Sequence, residues 1–273
     1  MHELEKFTNT GRPRKQGTIE RMENHTPDIH RARKLDWPNN LNARDLGGLP
    51  AQNGRAHTRR GVFIRSDSPH RFTPEGIRAA LEYGVRVVID LRLPTELEKL
   101  PNPLAQVDGI RYLPESLLEQ RDLETWEVDD QLRVDWNREA VIHKQKRIAE
   151  ILQIMAEADG AVMFHCHAGK DRTGIIAAML LGIAGAPPEV IAQDYALSDV
   201  YLAELYEMIV AKYPNDPLKQ TRLRESMLCK PEAMLMALAQ VNKTHGDVEG
   251  YLRSGGLKDE NLRRIRARFI QMR

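Results

Sequence analysis

The chain of 273 residues carries 40 Lys and Arg against 39 Asp and Glu, a formal net charge of +1, with 41% hydrophobic residues and two cysteines. That length and apolar content suffice for the core of one large or two small domains and exclude a disordered chain, while the balanced charge excludes the broadly basic footprint of a general nucleic-acid binder. Cys166 and Cys229 cannot make a disulfide scaffold and no paired Cys/His spacing suggests zinc, so neither metal nor cofactor is expected and a reducing, cytoplasmic location is the default.

In chain order, residues 1–36 are polar and aperiodic, with eight Lys/Arg against six Asp/Glu, and read as an extension ahead of a single domain over 37–273. The N-terminus lacks the apolar run of a secretory signal. Val62–Arg65 reads as a strand. Thr73-Pro74 opens a helix that Gly84 stops, and Val85–Leu91 is apolar and β-branched, a buried strand. Thr95-x-x-Glu98 fits a capping box, and Ile110–Leu113 is a weaker strand. After an irregular acidic stretch over 114–137, the spacing predicts one amphipathic helix from about Arg138 to Ala158, with Val141, Ile142, Ile148, Ile151, Leu152 and Met155 toward the core. Ala161–Phe164 is a strand, followed by a glycine-containing loop and a helix over Thr173–Ala184.

Everything beyond Pro187 reads as helices, opened by Pro187-Pro188, Ser198-Asp199, Pro231 and Asp259. Met227, Met234 and Met236 are expected to fill a helical core, and Leu262, Ile265 and Phe269 to mark the buried face of the last helix. The longest apolar run, Ile175–Ala186, has 12 residues, too few to cross a membrane. Strands interleaved with helices and then a helical C-terminal half indicate an α/β fold, a mostly parallel central sheet flanked by helices.

The chemistry lies in His165-Cys-His-Ala-Gly-Lys-Asp-Arg-Thr-Gly174, between a predicted strand and a predicted helix. Cys166 and Arg172 stand at opposite ends of a loop short enough to wrap one tetrahedral anion, and the backbone of His167, Ala168, Gly169 and Lys170 with the helix N-terminus would line it. That positive field favours a Cys166 thiolate, the nucleophilic form. Arg172 supplies a planar fork for two oxygens, Gly169 permits the turn, Thr173 can donate to the sulfur, and His165 fixes the loop from behind. Lys170 adds a cation, suited to a multiply phosphorylated ligand or merely solvated. Cys229 has no such surroundings and reads as a bystander thiol.

The segment resembles the Cys-x5-Arg-Ser/Thr phosphate loop of protein tyrosine phosphatases, and its full form is similar to the protein tyrosine phosphatase B-like branch of bacterial tyrosine/serine and phosphoinositide phosphatases. Asn42-Ala-Arg-Asp-Leu-Gly-Gly48 resembles that branch's N-terminal Asn-x-Arg-Asp-Leu-Gly-Gly, which marks Asn42, Arg44 and Asp45 as supporting residues. Tyr251-Leu-x-x-x-Gly-Leu257 and the Leu/Arg-rich helix after it resemble its C-terminus. The resemblance spans about residues 36–271 and implies a tyrosine-phosphatase-like fold in which the helical segment Tyr201–Leu228 lies where the family can carry a lid. It also implies two-step hydrolysis of a phosphomonoester on a protein or phosphoinositide, by attack of Cys166 with Arg172 holding the oxygens. No nucleic-acid partner and no transmembrane segment are expected, and a monomer is the default.

Ordinary tyrosine phosphatases take the leaving-group proton from a Trp-Pro-Asp loop, but here Trp37-Pro38 is followed by Asn39. Two carboxylates remain open for the role. The resemblance assigns it to Asp171. Asp90, at the C-terminal end of a predicted parallel strand, is the alternative, unless it braces the loop together with Arg92. Two rival functions are a phosphate-loop binding module with negligible turnover and a rhodanese-type sulfur transferase. Arg172 followed by Thr173 favours phosphate monoesters.

Overall fold

The computed structural model describes residues 32–122 and 136–272. Strands β1 (Arg44–Asp45), β2 (Pro50–Ala51), β3 (Ala56–Thr58), β4 (Phe63–Ser66), β5 (Val85–Asp90), β6 (Arg111–Pro114), β7 (Ala161–His165) and β8 (Ile270–Met272) form two sheets. The larger has the order β1-β4-β7-β5-β6, with β4, β7, β5 and β6 parallel and β1 an antiparallel edge. The smaller is an antiparallel β2-β3-β8. Among the described residues are helices α1 (Pro74–Glu82), α2 (Pro94–Lys99), α3 (Trp136–His143), α4 (Gln145–Glu157), α5 (Asp171–Ile183), α6 (Pro188–Val210), α7 (Pro217–Met227), α8 (Pro231–His245), α9 (Val248–Ser254) and α10 (Asp259–Phe269), with short 3-10 turns at Gln52–Gly54, Pro69–Arg71 and Pro103–Gln106. The α/β class and helical C-terminal half expected from the sequence are present.

The central strands read as unbroken apolar runs because both faces of the sheet are covered. Alternate side chains divide between two cores: Phe63, Val87, Ile89, Val162 and Phe164 pack with helices α4, α5, α9 and α10, whereas Ile64, Val88 and Met163 pack around Trp37, Phe72, Ala80 and Leu104. Helix α5 is buried on nearly every side, as its lack of a polar face requires. Register aligns Ser66 with His165, His165 with Asp90, and Asp90 with Pro114. The chain therefore leaves β4, β5 and β7 along one edge, where ligand crevices of parallel sheets form.

Several local expectations are corrected. The predicted 138–158 helix is two, α3 and α4, broken at Lys144, which has φ −114° and ψ 18°. The break changes the phase of the apolar face and leaves Ile142 exposed. Ser198-Asp199 opens no helix but lies inside α6. The C-terminus is not wholly helical, since β8 returns to pair with β3. Met236 is exposed while Met234 is fully buried. Ahead of residue 37, Arg33 is fully buried, and Asp45 N–H donates to Arg33 O and Leu35 N–H to Ala43 O. Residues 1–31, and 123–135 of the stretch read as irregular, lie outside the described residues. Among the described residues no helix is long and apolar enough to cross a membrane.

Candidate active site

The loop after β7 turns its carbonyls outward, one by one. Cys166 O meets His165 Nδ1 at 2.9 Å, His167 O accepts from Ser68 N–H at 2.8 Å, and Ala168 O accepts from Asn42 Nδ2 at 2.9 Å. Gly169 O accepts from Asn42 Nδ2 at 3.2 Å and Arg65 Nη2 at 2.9 Å, and Lys170 O from Arg65 Nη2 at 3.2 Å and Gly174 N–H at 2.7 Å. These peptides are trans, so each following N–H points opposite to its carbonyl. The amides of residues 167–171 thus face the inner side, and among the described residues they have no hydrogen-bond partner. Gly169 is required twice over: its φ is +67°, and a Cβ there would stand 2.3 Å from Ser66 O. The start of α5 at Asp171 adds its dipole to the same concavity.

Cys166 lies at one end of this cradle, buried to 3% exposure. At the other end the Arg172 fork is held by Glu96, with Nη1 at 2.5 Å from Oε2 and Nη2 at 2.9 Å from Oε1. Glu96 is fixed in turn by Leu93 N–H, which donates to Oε2 at 2.9 Å across the first turn of α2. Burial is the strongest single influence on Glu96 and opposes its charge, but the bond and charge of Arg172 together with the Leu93 N–H outweigh it and hold the carboxyl below its usual range. The first turn of α2 is therefore closed by Glu96 on the Leu93 N–H, one arm of a capping box without a side-chain acceptor at the cap, and not by Thr95 with Glu98. Asp171 Oδ1 accepts from Tyr195 Oη at 2.8 Å. Lys170 is buried and its Nζ donates to Met227 O at 2.8 Å, seating the end of α7 on the loop. Thr173 Oγ1 is buried and has no hydrogen-bond partner among the described residues.

Asp90 is fully buried beneath the loop. It takes Arg92 Nη2 at 2.7 Å, Arg92 Nε at 2.9 Å, Tyr112 Oη at 3.0 Å, and Asn102 Nδ2 and His165 Nε2 at 3.2 Å each. Burial would raise its carboxyl, yet His165 and Arg92 outweigh burial and hold it far below the usual range. Farther back, Asp194 of α6 meets Arg33 and Arg65 at 2.7 Å each and Arg44 at 3.3 Å. Arg44 also donates to Asn42 Oδ1 at 2.5 Å and Ser198 Oγ at 3.1 Å, and burial together with Arg65 lowers its pKa to about 9.

A cysteine and an arginine at either end of an inward-facing amide cradle suit a tetrahedral anion, and comparison with known proteins agrees. A model of the tyrosine phosphatase family matches residues 35–271. The chain belongs to the tyrosine phosphatase family. A tyrosine-protein phosphatase of Nostoc commune is 32% identical over 226 residues, 77% of this chain and 74% of that protein. The triple specificity protein phosphatase PtpB of Mycobacterium tuberculosis is 29% identical over 133 residues, 45% of this chain and 48% of its own.

The phosphatase gathers His165 to Thr173, Asn42, Arg44, Asp90 and Arg92 at or directly behind one loop. Asp45 stands apart, accepting from the Gly47 and Gly61 amides and from Tyr83 Oη. Cys229 is buried, its thiol pushed up by burial, and its N–H donates to Asp199 Oδ1 at 2.7 Å. Sequence reading missed Glu96, Arg65, Asp194, Tyr195 and Ser198. Only Arg65 left a trace, as a charged residue at the end of an apolar strand.

Proposed function

We propose that the phosphatase hydrolyses phosphotyrosine through a cysteinyl-phosphate on Cys166. The observation that carries this reading is the set of outward-bonded carbonyls from Cys166 to Lys170, which leaves the amides as preorganised donors between the sulfur and Arg172. The Cys166 thiolate attacks phosphorus, the S–P bond forms as the P–O ester bond breaks, and Asp171 gives its proton to the departing phenolate oxygen. Water then attacks phosphorus, Asp171 takes back a proton, and the thiolate leaves, aided by a hydrogen bond from Thr173. Asp90, saturated with donors and held ionised, has no proton to give and serves as the brace of His165 and Arg92.

The depth of Cys166 favours an ester whose phosphate stands well away from the rest of the substrate, as the ring of phosphotyrosine allows. The resemblance of the His165–Gly174 loop to the protein tyrosine phosphatase B-like branch extends the reading to phosphoserine, phosphothreonine and phosphoinositides, and the similar PtpB is a triple specificity protein phosphatase. Lys170, whose ammonium is already bound to Met227 O, lends a second phosphate less support than its sequence position implied.

The test compares kcat/KM on phosphotyrosine peptide, phosphoserine peptide and phosphoinositide, with thiosulfate as the sulfur-transfer control. Cys166→Ser is expected to abolish turnover, and acid quenching of the wild type to trap phosphocysteine. Asp171→Asn is expected to cost about 10²-fold or more on poor leaving groups and little on good ones, with Asp90→Asn losing both alike. Turnover retained in Cys166→Ser would sink the reading.

A further inference from the structure

The hydrogen bond on Asp171 is more specific than a generic brace. Tyr195 is 3% exposed on α6, and its ring lies so close to α5 that a Cβ on Gly174 would come within 2.8 Å of it. The phenol proton is committed to Asp171 Oδ1 at 2.8 Å, and the buried side chain of Asn137 on α3 is the polar neighbour on the other side of the phenol. Lys170, Arg172 and Asp199 are the charged groups around the Asp171 carboxyl, and the Tyr206 phenol and Cys229 thiol, both pushed up by burial and so neutral, face it from α6 and from the end of α7. Among the described residues, Tyr195 alone makes a side-chain hydrogen bond to it.

We propose that Tyr195 is a positioning residue for proton transfer: by donating to Oδ1 it fixes the rotation of the Asp171 carboxyl and confines the transferable proton to Oδ2. A carboxyl free to rotate shares its proton between two oxygens, only one of which faces the ester oxygen at a given moment. With Oδ1 committed as an acceptor, the proton stays on the other oxygen, and on its return in the second step it goes back to the same place. The same stretch of α6 carries Asp194 and Ser198, which hold the residues behind the cradle, so acid and cradle share one rigid frame. The inference rests on Asp171 as the proton donor.

Tyr195→Phe deletes the hydroxyl and keeps the ring against Gly174. On aryl phosphates of a poor leaving group kcat/KM is expected to fall about 10-fold, and on p-nitrophenyl phosphate less than about 3-fold, a fraction of what general acid catalysis supplies. Vanadate affinity, which reads the cradle alone, is expected to stay the same. The leaving-group effect should vanish when Tyr195→Phe is added to Asp171→Asn. Asn137→Ala, which removes the polar neighbour of the phenol on its other side, should show the same pattern at smaller size and serves if Tyr195→Phe folds poorly. Equal losses on both leaving groups, or a loss that persists in the Asp171→Asn background, overturn the role of Tyr195 while leaving Asp171 in place. Asp171→Asn without any leaving-group dependence overturns both.

Discussion

Arg172 can hold the equatorial oxygens of a phosphoryl group only if its fork keeps one orientation, and Glu96 supplies that through two short bonds. Removing Glu96 has two opposed effects: the fork is freed to wander, and a negative charge leaves the neighbourhood of an anionic substrate. The second effect aids ground-state binding and the first harms the transition state, where donor geometry counts most. Glu96→Gln is therefore expected to lower kcat/KM about 10-fold, roughly 1.4 kcal/mol, with inhibition by inorganic phosphate little changed. Loss of both in proportion would show that Glu96 only supports folding. Cys166 and Arg172 could be read in the sequence because they belong to one short contiguous loop. Glu96 could not, because its partner is 76 residues away and the Ser/Thr-x-x-Glu template drew attention to Thr95 and Glu98, which are both exposed.

Helix α6 shows what the same limit means for an element. Its spacing suggested a new helix at Ser198-Asp199, since polar pairs of that kind normally cap. In the fold they sit mid-helix because each has a tertiary partner, Arg44 and Asn42 for Ser198 and Cys229 N–H for Asp199. Asp194, which nothing in the sequence singled out, is the buried counter-charge of three arginines drawn from residues 33, 44 and 65. Such a cluster is costly to assemble and more costly to break, because removing the one anion leaves like charges in a dry site. Asp194→Ala is expected to destabilise the protein by about 3–5 kcal/mol, read as a lower urea midpoint. A loss under about 1 kcal/mol would mean that water reaches the guanidinium groups and that the cluster is only nominally buried. Strands β4, β5 and β7, by contrast, were legible because coverage on both faces leaves a continuous apolar run in the chain, whereas the short β1, β2, β3 and β8 leave no such run.

The whole molecule is nearly neutral, but its charge is unevenly placed. Residues 258–273 hold six Lys/Arg against two Asp/Glu and residues 1–36 eight against six, which leaves the body between them with five more acids than bases. An anionic substrate is thus drawn by the local cradle rather than by the overall field. Burial within that acidic body also sets how stability responds to pH. His70 and His167 stack at 5.9 Å beside the cradle, and burial lowers both to about 4, with Arg71 adding to the effect on His70 and Arg172 to that on His167. An unfolded histidine titrates near about 6.5, so between about pH 6.5 and 4 the unfolded chain binds more protons and stability falls as pH falls. Asp90 and Asp194 are held below the ordinary carboxylate range, so their contribution is present above about pH 4 and is lost as pH falls further. The two windows adjoin, and acid loss of stability should run as one continuous decline. Replacing both histidines by glutamine is expected to flatten urea midpoints between pH 6.5 and 4 while leaving the steeper fall below pH 4, whereas an unchanged slope in the upper window would place both imidazoles in water.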